Sequence, residues 1–212
     1  MTDGPVSPPP QGGMPGAPVS LVDRVKNILI TPKTEWDRID AEPATIGGIY
    51  TSYVMILAAI PPIASAIGLF LFVPRGSVYG VAFGLSTGSI IAGAVVQYLL
   101  GLASVYIMAL IIDGLAPTFN SQKDQLKAFK VAAYYPTAAW VAGIVMVVPM
   151  LAILVLVAAI YSLYLLYLGL PKLMRTPEDK VVPYFVVTLV VAIVVFIVIG
   201  AIANRIIYGG MF

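Results

Sequence analysis

From Leu21 the chain places Leu21, Val22, Val25, Ile28 and Leu29 at helical spacing, with Asp23, Arg24, Lys26 and Asn27 between them. That pattern predicts a short amphipathic helix, capped by Ser20 with Asp23 and ended after Ile30 by Pro32. A second short helix follows, in which Thr34 caps, Trp36 and Ile39 share a side, and Lys33 and Arg38 suit anionic headgroups. Residues 21–45 thus form an interfacial segment, lying on the membrane surface or packed on the ends of the chain's own helices. Beyond it the polar positions nearly vanish. Apolar runs cover about 46–72, 84–112, 128–148, 150–170 and 183–207, each near or above the roughly 20 residues that cross a bilayer.

The third and fourth runs are the difficult pair, since Ala138 to Ile160 carries no charged side chain to mark a loop. One straight helix from Val131 to Leu170 would run roughly 60 Å, twice the hydrocarbon thickness, so the chain must reverse within it. Pro149, which cannot continue a helical hydrogen-bond ladder, is the expected turning point. A four-span or re-entrant course is the alternative. The fold class expected is all-α, a polytopic bundle of five transmembrane helices preceded by short amphipathic helices.

Composition agrees: 60% of residues are hydrophobic and 10% charged, against roughly 25% charged in a globular domain. There is no cysteine and no histidine, which removes disulfides, thiolate nucleophiles and the commonest general base and metal ligand. No phosphate-binding loop, HExxH motif or pair of intramembrane acids is present, so no catalytic residue, cofactor site or metal site is expected. A net charge of +2 is too small to argue for nucleic acid, and none is expected as a partner. Residues 1–20 hold six prolines and four glycines with hardly an apolar anchor, and are expected to be a disordered tail. The proline-spaced pairs Pro5 with Pro8 and Pro15 with Pro18 match the loose pattern of polyproline ligands.

Charge placement orients the bundle. Ten basic residues (Arg24, Lys26, Lys33, Arg38, Lys123, Lys127, Lys130, Lys172, Arg175 and Lys180) fall on one side of the five runs, and only Arg75 and Arg205 on the other. The positive-inside rule then puts the N-terminus in the cytoplasm and, with an odd number of spans, Phe212 outside.

Three features are candidate sites. Lys123, Lys127 and Lys130 at i, i+4 and i+7 make a basic face on the segment entering the third run, where Ser121 with Asp124 resembles a cap. Together with Trp36 they are candidate contacts for anionic headgroups, with a protein partner or a second copy of the chain as the alternative occupant. The second run carries Gly84, Gly88 and Ala92 on one stripe and Ser89, Gly93, Gln97 and Gly101 on the next, an arrangement that lets helices approach closely with an amide to hydrogen-bond across. Finally, Tyr53, Tyr106, Tyr135, Tyr164 and Tyr184 come one from each run at roughly 6 to 12 Å depth. They form an aromatic belt or, with Gln97, an intramembrane polar cluster. Asp113, followed by Gly114, reads as the wetted end of the second helix.

Certain stretches are similar to the prokaryotic branch of the Yip-one (Ypt/Rab-interacting protein) membrane family. They are Pro32, Lys33, Trp36 and Ile39; Lys127-Ala128-Phe129-Lys130 with Tyr134-Tyr135-Pro136; and Gly169-Leu170-Pro171 through Thr176-Pro177-Glu178-Asp179-Lys180. The resemblance covers about Val22 to Tyr208. It implies five spans, a cytoplasmic N-terminus and residence in a bacterial inner membrane. The aspartate-leucine-tyrosine-glycine-proline signature of eukaryotic relatives is absent, so their GTPase binding is not carried over. The sequence therefore points to a noncatalytic membrane protein that organises lipid or partner proteins through a basic cytoplasmic face. The alternative is a small-solute or ion conduit built on Gln97 and the tyrosines.

Overall fold

The computed structural model describes residues 19–72, 76–78, 81–83 and 86–208. The proline-rich tail up to Pro18, Arg75 and Gly84 lie outside the described residues. Helix α1 (Leu21–Ile30) starts as the sequence predicts: Ser20 Oγ accepts from the Asp23 amide at 3.1 Å and donates to its carboxylate at 2.7 Å. Helix α2 (Pro32–Ala41) follows after one residue, with Pro32 in its first turn, where a missing N–H costs nothing.

Among the described residues, five helical stretches are long and apolar enough to cross a membrane: Ile46–Phe72, Thr87–Phe119, Gln125–Val147, Ile153–Leu173 and Glu178–Val198. The first is not uniform. It opens on a Thr45 cap, passes through a π turn at Tyr50–Val54, and is interrupted before Ile60–Phe72. Pro61 and Pro62 cause the interruption, because neither supplies the amide that the carbonyls of Leu57 and Ala58 need. Strands β1 (Gly76–Val78) and β2 (Val81–Phe83) pair antiparallel, Ser77 opposite Ala82, between the first two spans. The sequence reading assigned no element there.

The second span corrects one expectation. Its helix does not end at Asp113 and Gly114 but runs Thr87–Leu115 and tightens into a 3-10 turn at Ala116–Phe119. Asn120 stops it with φ 54°, the left-handed conformation that asparagine tolerates better than most residues. In the third span Asp124, not Ser121, is the cap: its carboxylate accepts from the Lys127 amide at 3.0 Å. Ser121 instead donates to Thr176 Oγ1 at 2.9 Å, tying the second loop to the loop between spans four and five. The third span is split, Gln125–Tyr134 and then Thr137–Ala142, around Pro136. The reversal expected near Pro149 occupies two 3-10 turns, Gly143–Val147 and Pro149–Leu151, joined through extended Val148. It packs tightly against the first span: a Cβ on Gly68 would sit 2.6 Å from the Met146 carbonyl oxygen.

Burial is strongly uneven along the bundle. One end holds a closed core of Ile28, Trp36, Ile39, Phe129, Leu166, Leu170 and Tyr184, all 1% exposed or less. Away from that end, Ile63, Ile91, Ile153, Val157, Ile160 and Ile193 are all more than half exposed, as an apolar belt facing lipid must be. The helices α1 and α2 form a strap across the closed end. Their inner faces are packed on the bundle, whereas Val22 and Ile30 on the outer face of α1 remain 70% and 68% exposed.

Candidate functional site

The strap is held to the bundle by ion pairs and carbonyl contacts that begin with Arg24. Because Arg24 lies one turn from Ile28, on the side of α1 that faces inward, its guanidinium is carried into the core. There it pairs with Glu35 of α2 at 2.7 Å and with Glu42, and lies 5.6 Å from the centroid of the Tyr134 ring. A charge that deep is tolerable only when paired and hydrogen-bonded, and both requirements are met. Trp36 fills the space beside this pair, edge-on to Tyr134 at 6.5 Å. It rests on the bare backbone of Gly169, where an added Cβ would lie 2.9 Å from Trp36 Cζ2.

Acidic residues of α2 then collect basic residues from the third span, the end of the fourth span and the loop after it. Asp40 takes Lys127 on Oδ1 at 2.5 Å and Arg175 on Oδ2 at 2.7 Å, and its backbone carbonyl accepts a further bond from Lys127 at 2.6 Å. Asp37 pairs with Lys172 at 2.5 Å on the surface. Lys130 is buried, and its ammonium donates to the carbonyls of Ile39 at 2.6 Å and Glu42 at 2.5 Å, which end α2. Cations near the last carbonyls of a helix also sit at the negative end of its dipole.

This geometry redistributes the residues that the sequence singled out. Lys127 and Lys130 do not form an open basic face with Lys123, because both are spent on the strap. Lys123 is exposed and has no partner among the described residues. Trp36 is fully buried and cannot touch lipid or a partner. Gln97 is exposed on the outer surface of the second span without a partner among the described residues, and a Cβ on Gly93 or Gly101 would meet nothing within 4 Å.

The tyrosines are not gathered with Gln97 either. Tyr53 bonds Thr137 at 2.7 Å inside the core, Tyr184 donates to the Ile112 carbonyl at 2.5 Å, and Tyr135 is half-buried. Tyr106 and Tyr164 face outward.

The sequence reading passed over Arg24, Glu35, Asp40 and Glu42 as site residues, and also Tyr50, Tyr98 and Tyr161. The hydroxyls of these three tyrosines cross to the carbonyls of Leu102, Met55 and Leu29. Such bonds satisfy a phenol in an apolar span without any cavity. Arg24 had one signal: a charge interrupting the apolar stripe of an amphipathic helix.

Unspent charge lies on the outside of the strap. Lys26, Lys33 and Arg38 are exposed and, with Lys123, lack partners among the described residues. On α1, Val22, Lys26 and Ile30 follow at i, i+4 and i+8, so bare apolar and basic side chains share one stripe, and Lys33 stands just past the break, in the first turn of α2. Among the described residues, no cluster of three or more histidine, cysteine, aspartate or glutamate side chains is placed to hold a metal ion.

Comparison with known proteins places this architecture. The family model described as the Yip1 domain matches residues 26–199, from within α1 through the fifth span. No curated protein and no solved structure matches the chain. The five apolar helices and a match over most of the length agree, and the chain belongs to the Yip1 family of membrane proteins.

Proposed function

We propose that this Yip1-family protein is a noncatalytic organiser of a bacterial inner membrane, with the strap on the cytoplasmic side and its outer face engaging anionic lipid. The observation that carries the reading is the outer surface of the strap, where Lys26 of α1 and Lys33 at the start of α2 have no partner among the described residues and lie with bare Val22 and Ile30 of α1. An amphipathic helix of this kind gains from apolar insertion at the headgroup boundary and from attraction to a negative surface. The inner face of the strap is already occupied, so the outer face is what the protein presents. A conduit has less support, because Gln97 and the tyrosines proposed to line one point in different directions.

The test is lipid enrichment around the full chain in liposomes of mixed phosphatidylglycerol and phosphatidylcholine, read by energy transfer from a label on the protein to labelled lipid. Phosphatidylglycerol should be enriched at low salt and lose its advantage as salt screens the lysines. Equal transfer to both lipids at low salt would defeat the reading.

A further inference from the structure

The corner where α1 turns into α2 opens toward lipid as a groove of about 250 Å³ lined by Ile30, Thr31, Pro32, Lys33, Thr34 and Tyr164. It lies where the strap meets the lipid-facing side of the fourth span, since Tyr164 neighbours the exposed Ile160, Leu163 and Tyr167. Its walls are mostly apolar, but two polar groups on it are unspent. Neither the Lys33 ammonium nor the Tyr164 hydroxyl has a partner among the described residues, although Tyr161, one turn earlier, is satisfied by the Leu29 carbonyl. The hydroxyls of Thr31 and Thr34 already donate to the carbonyls of Asn27 and Thr31, so they offer only lone pairs. Donors that await an acceptor are therefore a cation and a phenol on one apolar groove.

We propose that this corner is a discrete binding site for the headgroup of an anionic phospholipid of the cytoplasmic leaflet, a proposal that rests on the lipid-organising reading above. The phosphodiester accepts from Lys33 and Tyr164, and the first acyl methylenes lie over Ile30. Charge complementarity selects the occupant. Lys26 and Lys33 are the free charges on this side, and the acid on the outer face of α1, Asp23, is two turns from Ile30 and bonded to Ser20. The volume is at or below the small end of ligand pockets, so it takes a headgroup and not a large molecule. The position suits a headgroup as well, because tyrosines such as Tyr164 collect at the membrane–water boundary. Among the described residues neither donor holds the fold together: Lys33 is exposed and has no partner there, and the ring contact of Tyr164 with Tyr161, 5.7 Å between centroids, survives in a phenylalanine.

The experiment is native mass spectrometry of the full chain in detergent, titrated with dioleoylphosphatidylglycerol or dioleoylphosphatidylcholine, alongside the liposome enrichment described above. Wild type should retain the first lipid in preference. Lys33→Gln should weaken that binding roughly five-fold, as expected for about 1 kcal/mol per lysine near an anionic surface. Tyr164→Phe should weaken it by a smaller factor, Lys123→Gln should leave it unchanged, and soluble inorganic phosphate should not displace the lipid.

If phosphatidylglycerol is enriched but Lys33→Gln and Tyr164→Phe bind it like wild type, this site is wrong while the general reading stands. If wild type shows no preference in either assay, the general reading falls and the site with it. Displacement by inorganic phosphate would show a site for free anion and overturn the lipid assignment.

Discussion

Gly169 gives the most direct test of how the strap is held. In an unobstructed helix interior, Gly→Ala gains roughly 0.5–1 kcal/mol through backbone entropy and helix propensity. At Gly169 the added methyl would lie 2.9, 3.0 and 3.1 Å from three ring carbons of Trp36, a side chain with no exposed surface and Tyr134 near its edge. Overpacking of that kind costs about 1–3 kcal/mol, so Gly169→Ala should lower stability by about 1 kcal/mol despite the better helix former. Gly169→Leu leaves no room for the ring, and expelling it should cost about 3–5 kcal/mol, the usual loss for emptying a large aromatic site.

Gly101 is the control, because a Cβ there meets nothing within 4 Å and alanine should be neutral or mildly stabilising. The assay is unfolding of the full chain in mixed micelles by increasing SDS fraction. It is followed by emission from Trp36 in a Trp140→Phe background, since the chain has two tryptophans. Gly169→Leu should unfold earlier, with emission shifted to the red before unfolding. An unchanged midpoint with unchanged emission, or a larger loss at Gly101→Ala than at Gly169→Ala, would refute the packing argument.

The buried pair gives a second expectation: Arg24→Ala should cost roughly 3–5 kcal/mol by stranding Glu35, while Arg24→Met with Glu35→Leu should recover most of it in the same titration. Lys172→Ala, which breaks an exposed pair with Asp37, should cost at most about 1 kcal/mol. Gln97→Leu should leave the midpoint within a few tenths of a kcal/mol, because the amide has no partner among the described residues; it should create or abolish no solute flux in liposomes, and a Gln97-dependent flux would restore the conduit reading. For topology, cysteines replacing the exposed Thr34, Gln122 and Glu178 should be shielded from an impermeant thiol reagent on intact cells, whereas one at Ser77 should react; labelling of Gln122→Cys from outside would overturn the orientation. Ser121 and Thr176 are unsuitable for that assay, because both are buried and bonded to each other.

What was legible in the sequence follows from periodicity and length. Apolar runs of about 20 residues have few structural options in lipid, so the five spans and the all-α class could be read directly. Ser20 and Pro32 marked the ends of α1 because capping and breaking are local. The site was harder for a physical reason: which cation meets which acid depends on how five elements converge, and spacing along one helix carries no such information. Lys123, Lys127 and Lys130 look like one basic stripe in sequence, yet two of them end beneath α2. Trp36 looks interfacial until Gly169, 133 positions later, opens a slot for it. The hairpin at Gly76–Val78 and Val81–Phe83 was missed because two three-residue strands are too short to show alternation.

The strap also changes what the positive-inside tally means for function. Of the ten basic residues counted on that side, Arg24, Lys127, Lys130, Lys172 and Arg175 contact the strap's own carboxylates or carbonyls or, for Arg24, belong to it, and Lys180 has Asp179 beside it at 3.5 Å. Three of the remaining four, Lys26, Lys33 and Arg38, lie on the outer side of the strap itself. Helices α1 and α2 therefore turn Glu35, Asp40 and Glu42 toward the protein and lysines toward the surroundings. These two layers should answer differently to salt. Buried pairs such as Arg24 with Glu35 are weakly screened, whereas exposed lysines acting on a lipid surface lose most of their effect beyond a Debye length, about 10 Å at 0.1 M. Raising the salt should thus release anionic lipid while leaving the SDS midpoint almost unmoved. A midpoint that falls in parallel with lipid release would mean that the same charges clamp the strap and hold the lipid, contrary to the partner assignments of Lys26 and Lys33.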